Sequence, residues 1–147
     1  MDPVHRTIRQ AALALAFGLA FAGPAAAAGE PHEHGHGAGE AKLVLDHGRK
    51  WQTDAPLRKG MENIRAVLAT RQKPEALAEL VNAEVAYIVQ NCKLPEDADA
   101  QLHLLIAEIL AGADAMKGEH PREGAERVAR ALDQYGTFFD HPGWRKP

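Results

Sequence analysis

Four side chains of this sequence have the chemistry of ligands for a soft metal or for haem iron: Met61, Cys92, His103 and His141. Thiolate, thioether and imidazole groups bind copper(I) and haem iron, whereas magnesium and calcium prefer oxygen ligands. The four residues are far apart in the sequence, so they can share one ligand only if folding brings separate segments together. Because the chain has a single cysteine, an internal disulfide framework and a CxxC metal or haem-attachment motif are excluded.

Proline residues and apolar spacing predict four helices in residues 53–147. The first helix begins at Thr53 or Asp54, and three further helices each begin near a proline: Pro74, Pro95 and Pro121. Each segment carries an apolar stripe with a spacing of three or four residues, which in the first helix comprises Leu57, Met61, Ile64 and Leu68. The low aromatic content of 5% also favours helices over a sheet.

Short connections between helices of similar length predict an all-α fold, an antiparallel up-down-up-down four-helix bundle. In such a bundle the start of the first helix, the end of the second, the start of the third and the end of the fourth lie at one end. Each of the four ligand residues is within about two turns, roughly 11 Å, of one of these termini. We therefore expect Met61, Cys92, His103 and His141 to lie around one site at one end of the bundle.

Residues 1–28 are typical of a cleavable secretory signal peptide. Arg6 and Arg9 precede an apolar run at positions 11–23, and small alanine residues follow it before Gly29. The apolar run is shorter than the roughly 20 residues that a membrane-spanning helix needs. The sequence therefore predicts a mature protein that begins near Gly29, is exported to the periplasm and is not stably inserted in a membrane.

Residues 29–52 are predicted to be a flexible, histidine-rich segment, because GEPHEHGHGAGE has no apolar periodicity. Imidazoles two positions apart on a flexible backbone can share copper(II), zinc or nickel. Equally, the segment can be a soluble spacer. Its possible accessory metal ligands are His32, His34, His36 and His47.

Two segments resemble the cytochrome b562 family. Residues 55–68, APLRKGMENIRAVL, are similar to the first helix of that family, with its Ala-x-Leu-x-x-x-Met-Glu-x-Leu-x-x-x-Leu pattern. The residues HPGWR at positions 141–145 resemble its closing His-x-x-Tyr-Arg. The resemblance implies a periplasmic four-helix bundle in which Met61 and His141 are the axial ligands of a non-covalent haem b. It also implies electron transfer to a redox partner protein, with a potential raised by the Met/His pair.

Three functions stay open at this point. The first is the small haem-b electron carrier, ligated by Met61 and His141. The second is a periplasmic copper-binding protein that uses Cys92, His103, Met61 and His141 and exchanges copper with a donor or acceptor protein. The third is a helical protein without a cofactor that acts through contacts with partners.

Enzymatic and nucleic-acid functions are disfavoured by the sequence. It contains no Gly-x-Ser-x-Gly elbow, Walker loop, His-Glu-x-x-His pair or Glu-x-x-His di-iron set, so we do not expect an enzyme. The net charge of −3 leaves no excess of basic residues for binding nucleic acid. The oligomeric state is not specified by these patterns.

Overall fold

The structure, a computed structural model, describes residues 42–147. The four helices are α1 (Ala55–Leu68), α2 (Pro74–Asn91), α3 (Glu96–Met116) and α4 (Pro121–Phe138). Two short strands, β1 (Trp51–Gln52) and β2 (Phe139–Asp140), flank the helices. The described part is thus mostly helical, with the predicted four helices. The predicted signal peptide and the histidines at positions 32, 34 and 36 lie outside the described residues.

The helices begin at the positions that were predicted from prolines and from a capping residue. Asp54 is the N-cap of α1, where its Oδ1 accepts a hydrogen bond of 2.8 Å from the Leu57 N–H. Proline is the first residue of α2 and of α4, and Pro95 directly precedes α3. Proline suits these positions because its fixed φ is helical and its missing N–H has no partner in the first turn.

The predicted apolar stripes form the core. In α1 the side chains of Leu57, Met61 and Ile64 are completely buried, and the other three helices contribute a comparable row. Apolar spacing places both Ile109 and Leu110 on the stripe of α3. Ile109 is completely buried, whereas Leu110 is 40% exposed and lies at the edge of the buried face.

Glycines allow two pairs of helices to approach closely. A Cβ on Gly60 of α1 would overlap the Ile88 side chain of α2, and Asn63 donates a hydrogen bond of 2.9 Å to Glu84. Between α3 and α4, a Cβ on Gly124 would lie 2.6 Å from a backbone oxygen of α3. Arg127 of α4 also donates a hydrogen bond of 2.8 Å to Glu108 of α3.

Residues 42–52, the described part of the segment 29–52 that was predicted to be flexible, contact the helices. The Trp51 Nε1–H donates to the Val44 carbonyl at 2.7 Å, and the Val44 N–H donates to Gln101 of α3 at 2.9 Å. Strand β1 pairs with β2 in parallel, with Trp51 opposite Phe139. Contacts with the helices and with β2 therefore begin before Thr53. Strands of two residues are too short for a periodic signal, which is why the sequence pattern missed them.

None of the helices in residues 42–147 combines the length and the apolar character that crossing a membrane requires.

Candidate metal centre

His141, a predicted haem or metal ligand, is buried just after β2 and has a hydrogen bond at each ring nitrogen. Its side chain is only 3% exposed. Nε2 lies 3.1 Å from Glu62 Oε1, and Nδ1 lies 3.0 Å from the Tyr135 hydroxyl. Because a carboxylate only accepts, Nε2–H donates to Glu62, and in the neutral imidazole Nδ1 then accepts from the Tyr135 hydroxyl.

Tyr135 and Trp144 hold the imidazole of His141 from two sides. Tyr135 is completely buried, and this burial raises its pKa above the usual value, so the hydroxyl keeps the proton that it donates. The Trp144 ring lies 4.8 Å from Tyr135 in an edge-on arrangement and 5.1 Å from the His141 ring. Together these contacts attach the chain after β2 to α1 and α4.

Met61, the other predicted haem ligand, is completely buried in the hydrophobic core. A haem ligated by Met61 and His141 would have to separate packed core side chains and displace Glu62 from the imidazole Nε2. In this conformation, therefore, the two residues do not fit axial ligation of a porphyrin. The haem site implied by the family resemblance stays a prediction.

Cys92 and His103 are brought together by the fold. They line one cavity of about 270 Å³ with Asp99 and with apolar side chains of α2 and α3. Cys92 is the C-cap of α2, where its N–H donates to the Ile88 carbonyl, and His103 lies in the second turn of α3. Met61 and His141 do not line this cavity. The structure thus joins two of the four predicted ligands in one place.

The imidazole of His103 is oriented by its own helix. Nδ1 lies 2.9 Å from the Asp99 carbonyl oxygen and 3.3 Å from the Asp99 Oδ2. Because a carbonyl only accepts, Nδ1 carries a proton, and in the neutral imidazole the lone pair is then on Nε2. Histidines that bind metals are commonly oriented in this way, through a hydrogen bond from the other ring nitrogen. Nε2 of His103 is therefore the nitrogen available to a metal.

The thiol of Cys92 lies among negative charges. Partial burial raises its pKa from the usual 9.0 to about 12, assisted by the charge of Asp54, a hydrogen bond to Asp54 and the charge of Asp99. The Asp54 Oδ2 also accepts the Lys93 N–H at 2.7 Å, which fixes this carboxylate beside the end of α2. Of these contributions, the negative charges of Asp54 and Asp99 are the ones that also attract a cation. A positive metal ion can therefore replace the thiol proton.

The remaining candidate of the described chain, His47, lies in a separate turn. It has a positive φ of 48°, its side chain is 93% exposed, and its Nδ1 lies 2.8 Å from Asp46 Oδ1. Within residues 42–147 no group of three or more His, Cys, Asp or Glu side chains is arranged to hold a metal ion. The Cys92–His103 pair is thus a two-donor arrangement.

Three residues of these sites were not identified from the sequence. Asp99 is four residues before His103, a helical spacing that brings the two side chains to one face, so it was recognisable as a partner. The contacts of Asp54 with Cys92 and of Glu62 with His141 join distant segments. No local pattern indicates them.

Comparison of the chain with protein-family models, with curated proteins and with solved structures finds no match in any of the three. The function proposed below therefore rests on the geometry of the described residues.

Proposed function

We propose that this protein binds copper(I) in the periplasm through the Sγ of Cys92 and the Nε2 of His103. The observation that carries the proposal is the shared cavity of these two side chains, in which Asp99 fixes the imidazole. Thiolate and imidazole are ligands that suit copper(I). Met61 and His141 have other partners in this conformation, which favours the copper function over the haem function.

The number of donors favours copper(I) over zinc. Zinc in proteins is almost always four-coordinate in structural sites and keeps three protein ligands in catalytic sites. Within residues 42–147 no such group of ligands is present. Copper(I) is a soft ion, so a thiolate and one imidazole suit it. As the metal binds, Cys92 releases one proton, and the positive ion then lies beside Asp54 and Asp99.

The role that we propose is copper handling, in which the metal passes to or from a donor or acceptor protein. The side chain of His103 is 64% exposed, so one ligand remains within reach of a partner. His32, His34 and His36 would add a capture segment for the ion in the same polypeptide.

The same proposal includes the arrangement of the chain. Residues 1–28 serve as a cleaved signal peptide, and the four helices form the antiparallel up-down-up-down bundle. The contacts between neighbouring helices support this arrangement. As residue numbers rise along α1, those of the contacting residues fall along α2, and the same holds for α4 against α3. Mass spectrometry of protein from a periplasmic fraction tests the export, with Gly29 as the expected first residue.

A competition titration with a chromophoric copper(I) chelator, under anaerobic conditions, tests the metal site. We expect one copper(I) per chain at the Cys92–His103 site. The titration uses protein without the histidine-rich segment 29–41, so that these histidines do not contribute to the measured binding. Loss of a residue that only orients a metal ligand typically weakens metal binding by roughly 10–100-fold. Cys92→Ser and His103→Gln each remove a ligand itself, so each should weaken copper(I) binding by more than this. His120→Gln is the matched control, because its side chain is 70% exposed, similar to His103. Copper(I) affinity that is the same in Cys92→Ser as in wild type would refute the site.

A parallel titration with haem b separates the copper function from the haem function. If haem binding gives a Soret band that is retained in Cys92→Ser but lost in Met61→Leu, the copper proposal is wrong and haem binds at Met61 and His141. If neither copper(I) nor haem binds, the helical interaction protein is the remaining function of the three. Circular dichroism of every variant checks that its helices are intact.

A further inference from the structure

A second cavity lies where α1 ends beside the start of α4. It has a volume of about 450 Å³ and shares no residue with the cavity of Cys92 and His103. Its apolar surface comes from Leu68 of α1 and from Ala125 and Ala129 of α4. Its volume is within the range of roughly 300–1,000 Å³ that is usual for small-molecule sites.

The cavity lies between the end of α1 and the first half of α4. The pairing of β1 with β2 holds the start of α1 near the end of α4, so the end of α1 lies near the start of α4. At this place α4 presents the small residues Ala125 and Ala129, which do not fill the space.

Three cationic side chains surround this apolar surface: Arg65, Arg122 and Lys146. The one acidic side chain of the lining, Glu126, already accepts from the Nε of Arg122 at 3.2 Å. The guanidinium of Arg65 lies over the Trp144 ring at 5.7 Å. Its Nε is buried and, within residues 42–147, has no hydrogen-bond partner. An unpaired buried donor of this kind is costly.

We infer that this cavity binds a small organic anion with an apolar body, such as a carboxylate on a short alkyl chain or on an aromatic ring. The apolar part of the ligand covers Leu68, Ala125 and Ala129. Its carboxylate accepts from the guanidinium of Arg65, whose planar fork matches the two carboxylate oxygens. The inference is independent of the copper site, because the two cavities have no residue in common.

Isothermal titration calorimetry with octanoate and with benzoate tests the inference on the full mature chain. Octan-1-ol, which has the same alkyl chain as octanoate but no charge, measures the apolar contribution alone. We expect octanoate to bind at least about tenfold more tightly than octan-1-ol, because the carboxylate forms charge-assisted hydrogen bonds. Arg65→Gln should remove this difference, and Ala129→Phe should abolish binding of both compounds by filling the cavity.

Arg130→Gln is the matched control, because Arg130 is also on α4 but lines a different groove. It should leave the affinity for octanoate unchanged, and thermal unfolding of each variant checks that the fold is intact. Equal affinities for octanoate and octan-1-ol would overturn the inference. Wild-type affinity in a folded Arg65→Gln variant, or no binding of either anion at millimolar concentration, would overturn it as well.

Discussion

The reactivity of the Cys92 thiol provides a direct test of the electrostatics of the copper site. A pKa raised from 9.0 to about 12 reduces the thiolate fraction by a factor of about 1,000 at any pH below 9. Because the thiol is only partly buried, solvent weakens this effect, and we expect alkylation at least about 100-fold slower than in the unfolded chain. The same surroundings protect the free thiol from oxidation in the absence of metal.

Rates of alkylation by iodoacetamide, measured across a range of pH, are the assay. In the folded protein the rate should rise about tenfold per pH unit without a plateau at pH 9, whereas in urea it should level off near pH 9.0, the usual thiol pKa. Asp99→Asn should speed the reaction a few-fold, since one negative charge is lost near the thiol, and Asp114→Asn, also on α3, should not. A plateau at or below pH 9 in the folded protein would refute the reasoning.

Three further predictions concern copper affinity and stability. Copper(I) affinity should rise about tenfold per pH unit between roughly pH 7 and 9, because Cys92 releases one proton; a flat profile in the chelator competition would exclude a thiolate ligand. Gly124→Ala should cost about 2 kcal/mol in urea unfolding, since its Cβ would lie 2.6 Å from backbone atoms of α3; Gly118→Ala, with a nearest atom at 3.5 Å, should not destabilise the protein. Tyr135→Phe should cost about 1–3 kcal/mol in the same assay, because the buried Nδ1 of His141 loses its donor; an unchanged unfolding midpoint would show that this bond contributes nothing.

The thiol pKa also predicts how stability depends on alkaline pH. The Cys92 thiol stays protonated to a higher pH in the folded protein than in the unfolded chain. Its contribution to the stability of the fold is therefore fully present below pH 9.0. As pH rises from 9.0 towards 12, the unfolded chain loses the proton first, and this contribution to stability disappears. Urea unfolding of wild type and Cys92→Ala at increasing pH measures this contribution. The difference between their free energies of unfolding should change with pH only in the alkaline range.

The helices were predictable because their signals are local. Proline fixes φ and lacks an N–H, so it suits the first turn of a helix, and Asp54 caps α1 by accepting from the Leu57 N–H, three residues later. Apolar residues at helical spacing must be buried on one side, as Leu57, Met61 and Ile64 are. The end of α1 was less predictable, since the chain continues after Leu68 without a strong stop signal.

The sites were less predictable than the helices, because a spacing does not state which way a side chain points. The prediction that all four donors lie at one end of the bundle used only the number of residues between each donor and the nearest end of its helix. Whether each donor is free depends on helix rotation and on the neighbours that it meets, and here Met61 is in the core while His103 is at the surface. For His141 the decisive neighbours are Glu62 and Tyr135, and one of them is 79 residues away.

The sequence by itself determined the helical class, the helix starts, the apolar stripes and a set of candidate donors. These properties depend on neighbours within about one or two turns, which are always close in the chain. Only the tertiary structure decided that Cys92 meets His103 and Asp54, that His141 is held by two hydrogen bonds, and that Arg65 lies beside an open cavity. Such contacts arise from packing between helices, where the free energy depends on the relative rotation and length of whole elements.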